Sequence, residues 1–156
     1  MTTAFRDTAI GRIGIAEEGG FITQLFFGTG GLPPGASRRE TPLLKEAFRQ
    51  LEAYLAGGLK TFTLPLAPAG TPFQRKVWRI LEAIPYGETA SYKDVAVKAG
   101  NPKATRAVGM ANNRNPIAVF IPCHRVIGAD GTLVGYGGGL DLKRRLLELE
   151  GCRFRL

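Results

Sequence analysis

The chain has 156 residues, of which 44% are hydrophobic and 22% charged, and its formal net charge is +8. That length fits one domain of ordinary size or one domain with a small appendage, and no stretch approaches the roughly 20 apolar residues of a membrane span. The N-terminal segment lacks the apolar core of a signal peptide. Because two cysteines without an export signal are typical of a reducing compartment, we expect a cytoplasmic protein with free thiols.

Apolar residues in the first part of the chain predict a β-hairpin and a helix. They cluster at residues 10–15 and 21–27, and residues 17–20 supply a turn. A glycine- and proline-rich loop follows at residues 28–35. Thr41 is then predicted to cap a helix that has Pro42 at its first position and an apolar stripe reaching Leu55.

A change of composition at residues 65–70, which are rich in proline and alanine, predicts a linker. We therefore expect two domains, a small α/β domain over residues 1–66 and a second domain over residues 71–156. The second domain opens with Thr71 and Gln74 in the pattern of a capping box, with Pro72 at the first helical position. A final helix is predicted from Leu140 to Glu150.

Two short helices in the second domain form a helix-turn-helix pattern. Ser91, with Asp94 three residues later, begins the first helix, and Gly100 ends it. Asn101 is predicted to cap the second helix, which runs to about Asn113. Such helical pairs are common in plain protein cores, but basic residues around the second helix favour DNA binding: Lys98, Lys103 and Arg106.

The net positive charge is concentrated in the same region. Between residues 72 and 125 there are nine Lys and Arg residues and three Asp and Glu residues. A concentrated basic surface attracts phosphate and makes affinity depend on salt. Charge alone leaves nucleic-acid binding and an ordinary basic surface as equal alternatives.

Cys123 and His124 are the strongest candidates for catalysis. The chain has one histidine and two cysteines, and this pair joins the histidine to one of the cysteines. A thiol attacks as thiolate and has a free pKa near ~8.5, so a reactive Cys123 needs neighbours that lower its pKa. Adjacent side chains in an extended strand point to opposite faces, so their contact requires a turn or a bridging water. The alternative is a structural cysteine beside a satisfied core histidine.

An imidazole base works best when a third group fixes its tautomer. The downstream carboxylates leave four candidates, of which Glu150 is favoured because it follows Leu146 by four residues on the inward face of the last helix. The others are Asp130, Asp141 and Glu148. One histidine and two distant cysteines do not make a zinc site of usual spacing, so we expect no metal. The glycine-rich residues 135–139 suit close approach of the backbone to a flat ligand.

Several segments of the second half together carry a resemblance to a known family. They are residues 101–109, Asn115 with Pro116, residues 121–126, Tyr136, and residues 138–140. Together they resemble the methylated-DNA–protein-cysteine methyltransferases, also called O6-alkylguanine-DNA alkyltransferases. The resemblance covers roughly residues 71–151, whereas the first half is similar to the variable N-terminal domain of the family only in outline.

This resemblance implies an α/β protein of two domains, with a small N-terminal sheet and helix and a mostly helical C-terminal domain that contains the helix-turn-helix and an active-site loop. It implies DNA repair without a cofactor, in which Cys123 takes the alkyl group from O6-alkylguanine in a single turnover after base flipping. His124 resembles the base that acts through a water, and Glu150 resembles the group that orients it.

The resemblance also implies roles for other residues. Asn115 is similar to a hinge residue of the active-site loop, and Tyr92 to the residue that crowds the target phosphate and donates to the leaving guanine. Arg106 is similar to the finger that fills the vacated place in the base stack. The base pocket would be formed by Val126, Tyr136 and Gly137. Further positions match residues that contact DNA: Gln74, Lys93, Asn101, Lys103 and Thr105.

The implied partner is double-stranded DNA, contacted in the minor groove with little sequence preference. A monomer is implied, with cooperative binding along DNA left open. Ala118 stands where many relatives have proline, which predicts a looser pocket, and Gly137 stands where others have serine. The main alternative is a protein that senses alkylated DNA without repairing it, but relatives of that class replace the nucleophile, which is present here. A cysteine hydrolase is a third and weaker hypothesis.

Overall fold

A four-stranded sheet forms in the first part of the chain. The computed structural model describes residues 1–28 and 36–155. In it β1 (Thr2–Thr8), β2 (Gly11–Glu18) and β3 (Phe21–Phe27) are antiparallel, β4 (Ser37–Arg38) pairs parallel with β1, and the order is β3-β2-β1-β4. The hairpin of β2 and β3 confirms the sequence-based prediction. The predicted loop at residues 28–35 lies, except for Gly28, outside the described residues.

Strand β1 was not predicted, because its sequence is mostly polar and offers no clear alternation of apolar residues. Its pairing with β2, from Thr2 opposite Glu17 to Thr8 opposite Gly11, supplies the hydrogen bonds that hold it. Strand β2 therefore lies between β3 and β1, and its residues 13–16 are all buried.

Helix α1 (Pro42–Leu55) begins as the sequence predicted. The Thr41 hydroxyl accepts a hydrogen bond from the backbone N–H of Leu44, 3.1 Å away, and Pro42 takes the first helical position. Its inward face repeats at helical spacing and is fully buried: Leu44, Ala47, Phe48, Leu51 and Tyr54. The guanidinium of Arg6, from β1, lies over the Phe48 ring, so this helix packs against the sheet.

The chain divides into two compact units, Met1–Ala69 and Gly70–Leu156. The second unit contains α2 (Pro72–Glu82), α3 (Tyr92–Lys98), α4 (Thr105–Asn113) and α5 (Leu140–Leu149). The capping box of Thr71 and Gln74 is present at the start of α2. A second capping box, of Ser91 and Asp94, begins α3.

Helix α4 begins later than the sequence predicted. Asn101 was expected to cap it, but the Asn101 Oδ1 accepts from the N–H of Lys103, and the carbonyl of Asn101 accepts from the N–H of Ala104. These bonds close a tight turn, so the helix starts at Thr105 without a side-chain cap. The buried indole of Trp78 in α2 donates to the Ala111 carbonyl at 2.8 Å and thereby ties α2 to α4.

The segment between α4 and α5 contains the candidate catalytic pair. Residues Cys123–Arg125 form a single 3₁₀ turn, followed by the short strand β6 (Val126–Ile127), which pairs parallel with β5 (Ala90–Ser91). This turn packs against α5 and α2. In the described part of the chain, no helix is long and apolar enough to cross a membrane.

Candidate active site

A series of tight turns leads into Cys123. The N–H of Phe120 donates to the Ala118 carbonyl at 2.9 Å, and the N–H of Cys123 donates to the Ile121 carbonyl at 2.8 Å. Val119, at the centre of the first turn, has a φ of 72°, a left-handed conformation that a β-branched residue rarely adopts. Such strain costs on the order of 1–3 kcal/mol and persists only when the surroundings enforce it.

The side chain of Asn115 holds this loop. Its Nδ2 donates to the Ile121 carbonyl at 2.8 Å, and its Oδ1 accepts from the N–H of Ile117 at 3.0 Å. The buried Asn112 of α4 adds a bond from its Nδ2 to the Cys123 carbonyl, at 3.3 Å. Two amides, Asn112 in α4 and Asn115 just after it, therefore anchor the strained segment and the backbone of Cys123.

Cys123 is buried, with only 5% of its surface exposed. Burial raises the pKa of its thiol above the ordinary value, and this effect outweighs a hydrogen bond with Asn115 and the charge of Lys143, which both lower the pKa. The expectation from the sequence that neighbours would lower this pKa is therefore wrong for the protein without DNA. In this state the sulfur is a thiol, and its proton has to be removed when it reacts.

A group that can take this proton lies in the next residue. His124 is fully buried, and its Nε2 lies 2.7 Å from the Glu150 Oε2. Burial lowers the pKa of His124, and the hydrogen bond and charge of Glu150 only partly oppose this. The imidazole is thus neutral at pH 7 and able to accept a proton. The turn at Cys123–Arg125 is what sets the direction of these two adjacent side chains.

Glu150 ends α5 as its C-cap residue, and its side chain is fully buried. Besides His124 it contacts Arg125, whose Nε and Nη2 lie 2.7 Å and 3.1 Å from the two carboxylate oxygens. The N–H of Gly87 adds a bond of 3.2 Å to Oε1. The Glu150 carboxylate is therefore held by groups from two other segments of the chain, the turn at residues 123–125 and the backbone at Gly87.

The predicted base-pocket residues lie on β6 and in the loop before α5. Val126 is buried, Tyr136 is partly buried, and Gly137 is exposed. A Cβ placed on Gly137 would meet no atom within 4 Å, so there is space for a serine side chain at this position. The hydroxyl of Tyr92, at the start of α3, donates to the Val134 carbonyl of the same loop at 3.3 Å. The pKa of Tyr92 is raised by burial, and ionisation of the nearby Cys123 would raise it further.

The predicted DNA-contacting residues lie mainly at the surface of α3, α4 and the turn between them. Lys93, Asn101, Lys103 and Arg106 are exposed, whereas Gln74 and Thr105 are partly buried. Gln74 already uses its carboxamide oxygen in the capping box of α2. Of this group, the structure joins Asn101 to Lys103 by a hydrogen bond and leaves Arg106 projecting from the first turn of α4.

Comparison with known proteins assigns both parts of the chain. Residues 72–152 match the family described as 6-O-methylguanine DNA methyltransferase, DNA binding domain, and residues 1–68 match its ribonuclease-like domain. The chain belongs to the 6-O-methylguanine DNA methyltransferase family. The two matches together span nearly all of the sequence, so the assignment covers the first half as well as the second.

Individual relatives agree with this assignment. The constitutive methylated-DNA–protein-cysteine methyltransferase of Bacillus subtilis is 48% identical over 161 aligned residues, which cover 99% of this chain and 96% of the relative. A methylated-DNA–protein-cysteine methyltransferase of Methanosarcina acetivorans is 64% identical over 69% of each chain. The crystal structure of the Mycobacterium tuberculosis OGT in complex with DNA superposes with a TM-score of 0.91 at 45% identity, covering 97% of this chain and 93% of that one.

Two buried cations of this methyltransferase-family site were not predicted from the sequence. Nothing in the local sequence marks Arg125 as buried, although helical periodicity identifies the inward position of its partner Glu150. Lys143 does carry a signal, because it lies four residues before Leu147 and seven before Glu150 and so shares their inward face of α5.

The ammonium of Lys143 closes the pocket loop of this methyltransferase-family member. Its Nζ donates to the Val126 carbonyl at 2.6 Å, to the Val134 carbonyl at 2.8 Å and to the Gly135 carbonyl at 3.4 Å. Burial lowers its pKa to about 8, and the nearby Cys123 opposes that shift. One side chain therefore ties β6 to residues 134–135 and places a positive charge close to the sulfur.

Proposed function

We propose that this protein repairs DNA by transferring a methyl or other alkyl group from O6-alkylguanine to the Sγ of Cys123. The observation that carries the proposal is the adjacency of the buried thiol of Cys123 to the His124–Glu150 pair, in a chain of the 6-O-methylguanine DNA methyltransferase family. Because the thioether product is stable, each molecule acts once and no cofactor takes part.

The proposed chemistry is a displacement at the alkyl carbon. The thiol of Cys123 gives its proton to His124 through a water, and the sulfur attacks the carbon in line with the bond to O6. A sulfur–carbon bond forms, the carbon–oxygen bond breaks, and guanine leaves with the electron pair. The hydroxyl of Tyr92 at the start of α3 donates to the Val134 carbonyl in the loop that contains Tyr136. From this position it would donate instead to the departing guanine. Guanine takes its proton from Tyr92, and Tyr92 regains a proton through solvent as His124 releases the one it took from the thiol, so the net result is one proton moved from sulfur to guanine.

We further propose that residues 71–156 form the domain that binds DNA and reacts, with α3 and α4 as a helix-turn-helix, and that residues 1–66 form a separate domain. The exposed Arg106 at the start of α4 would fill the stack after the damaged base has flipped out, since a guanidinium is planar. Small residues such as Ala107 and Gly109 suit entry of this helix into the minor groove. Lys93, Asn101 and Lys103 are placed to contact phosphates.

The base pocket is assigned to Val126, Tyr136 and Gly137, with Asn115 as the hinge of the loop. Gln74 and Thr105 complete the proposed DNA contacts. The protein is proposed to act in the cytoplasm, as a monomer on double-stranded DNA and with little sequence preference. Family membership supports DNA as the partner, and so do the cations between residues 72 and 125, of which all but the buried Arg125 are exposed.

The deciding experiment is mass spectrometry of the protein after incubation with a duplex that contains one O6-methylguanine. We expect a gain of one methyl group on the peptide that contains Cys123, and restoration of guanine in the DNA. Cys123→Ser is expected to bind the duplex and gain no mass, whereas Cys152→Ala, which removes the other free thiol, is expected to react normally. Retained DNA binding with an unmodified Cys123 peptide would instead identify a sensor of alkylated DNA.

A further inference from the structure

The carboxylate of Glu150 is contacted by two side chains, the neutral imidazole of His124 and the charged guanidinium of Arg125. On one side His124 presents its Nε2 to Oε2 at 2.7 Å. On the other, Arg125 places Nε 2.7 Å from Oε1 and Nη2 3.1 Å from Oε2, a fork that matches both carboxylate oxygens. All three side chains are at least nine-tenths buried. The Glu150 carboxylate thus links the imidazole of His124 to the guanidinium of Arg125.

The guanidinium is itself held in position. Its third nitrogen, Nη1, donates to the Ile84 carbonyl just after α2 at 2.6 Å, and the guanidinium carbon lies 5.8 Å from the centre of the Tyr86 ring. Arginine is charged at every pH that a folded protein tolerates. A fixed positive charge in bidentate contact therefore keeps Glu150 ionised, although this carboxyl has no access to water.

The ionisation state of Glu150 determines the tautomer of His124. An ionised carboxylate only accepts hydrogen bonds, so at 2.7 Å the Nε2 of His124 has to carry the proton. The other nitrogen, Nδ1, then has the lone pair that a base requires. If Glu150 were protonated, it would donate to Nε2, and the ring proton would move to Nδ1, where it would prevent proton uptake.

We propose that Arg125 is a positioning residue for alkyl transfer, which acts through Glu150 to keep His124 as the neutral Nε2–H tautomer with Nδ1 available to accept the proton of Cys123. This inference rests on the proposed function of the site. The proton moves from the sulfur to Nδ1 through a water, and no other bond to His124, Glu150 or Arg125 is made or broken. Arg125 therefore touches neither the thiol nor the alkyl group.

The charges around His124 agree with this role. Burial is the main cause of its lowered pKa, Arg125 and Lys143 lower it further, and Glu150 raises it. Other titratable groups that face the cluster are Cys123 in the same turn, Tyr92 from α3, Tyr86 after α2, and Cys152 after α5. Without the charge of Arg125, only Lys143 still opposes the effect of an ionised Glu150 on the imidazole, and the imidazolium, which then becomes the cation that pairs with Glu150, is more stable.

The first test uses the wild-type protein, because His124 is its single histidine and its ring nitrogens give unambiguous NMR signals. We expect ¹⁵N shifts of a neutral ring protonated at Nε2 throughout pH 6.5–8. A ring protonated at Nδ1, or an imidazolium at pH 7, would overturn the inference. This measurement needs no variant and does not depend on DNA.

The second test compares Arg125→Gln with Arg125→Lys, using single-turnover transfer from free O6-benzylguanine, whose reactive benzylic carbon bypasses DNA binding. Arg125→Gln is expected to move the acid limb of the pH–rate profile upward by about one unit or more, with a rate loss of roughly tenfold at pH values below that limb. Arg125→Lys keeps the positive charge but loses the bidentate contact with Glu150. Its maximal rate is therefore expected to fall, while the pH of the acid limb stays unchanged. Arg49→Gln, an exposed change of the same charge in α1, is the control.

The outcomes separate this inference from the proposed function. Failure of the wild-type protein to gain a benzyl group would contradict the proposed function. Transfer by the wild-type protein together with an unmoved pH limb in folded Arg125→Gln would overturn the role of Arg125 alone, because a merely structural residue changes the amount of active protein and not its pH dependence. If Arg125→Gln does not fold, the NMR measurement on wild-type His124 decides, because protonation at Nε2 supports the inference and protonation at Nδ1 overturns it.

Discussion

At the scale of single residues, the reactivity of Cys123 is a balance between burial and a few polar contacts. Burial raises the pKa of the thiol, and the hydrogen bond from Asn115 and the charge of Lys143 lower it. The role proposed for His124 would resolve this conflict, because a neutral imidazole can receive the proton at the moment of attack. The resting protein thus keeps a protonated thiol that is protected from adventitious oxidants by its burial.

Asn115 offers the sharpest test at this scale. Asn115→Ala removes the bonds to Ile121 and Ile117 and the polar contact with the sulfur, so we expect a loss of about 1–3 kcal/mol in the free energy of unfolding and a further rise in the pKa of Cys123. The rate of thiol alkylation by iodoacetamide against pH, in a Cys152→Ala background, measures the pKa. Asn113→Ala, at an exposed position of α4, is the matched control. Identical pH profiles for Asn115→Ala and wild type would contradict this account.

At the scale of elements, the site is built where two helix ends and one loop meet. The C-cap of α5 supplies Glu150, the residues after α2 supply the Ile84 carbonyl and the N–H of Gly87, and Lys143 within α5 holds the loop that carries Tyr136. α4 contributes Asn112 to the reactive turn on one side and presents Arg106 to solvent on the other. One helix therefore connects the proposed DNA surface to the backbone of Cys123.

The role proposed for the first turn of α4 predicts a difference between substrates. Arg106→Ala should slow repair of O6-methylguanine in a duplex by tenfold or more, since the flipped base leaves a vacancy that costs a few kcal/mol. Transfer from free O6-benzylguanine should change less than twofold, because Arg106 is exposed at the start of α4, whereas Cys123 is buried in another segment. Arg145→Ala, at an exposed position of α5, controls for the lost charge. Equal losses of rate on the duplex and on free O6-benzylguanine would contradict the proposed insertion of Arg106 into the base stack.

At the scale of the whole molecule, burying titratable groups links stability to pH. The folded-state pKa of His124 lies below its unfolded value, so below pH ~6.5 the unfolded chain binds a proton that the folded chain refuses. The stability associated with neutral His124 is therefore complete above the unfolded pKa and is lost as the pH falls below it. The lowered pKa values of Asp94 and Asp130 act in the same direction at lower pH.

Chemical denaturation at several pH values tests this link. Between pH 6.5 and 5 we expect the free energy of unfolding to fall by up to about 1.4 kcal/mol per pH unit from His124 alone. His124→Gln, which cannot take up a proton in the unfolded state, should flatten this part of the curve whatever its stability at pH 7. A wild-type curve that is already flat over this range would show that the buried imidazole is not held neutral.

Local signals in the sequence determined much of this protein. The capping residues Thr41, Thr71 and Ser91 mark where helices begin, because a side chain that bonds the first free N–H groups acts within three residues. Cys123 and His124 are neighbours in the sequence, so the thiol and the imidazole are close in any fold. The place of Glu150 on the inward face of α5 follows from helical periodicity. The family could be named from the motifs alone.

Only the tertiary structure decided the rest, because burial and long-range pairing depend on distant segments. β1 exists through its ladder with β2, and α4 starts at Thr105 because backbone turns replace the cap expected at Asn101. The pKa of Cys123 rises, against expectation, because the folded chain excludes water from the sulfur. The link from His124 through Glu150 to Arg125 and Ile84 joins residues up to 66 positions apart, a proximity that no local pattern encodes.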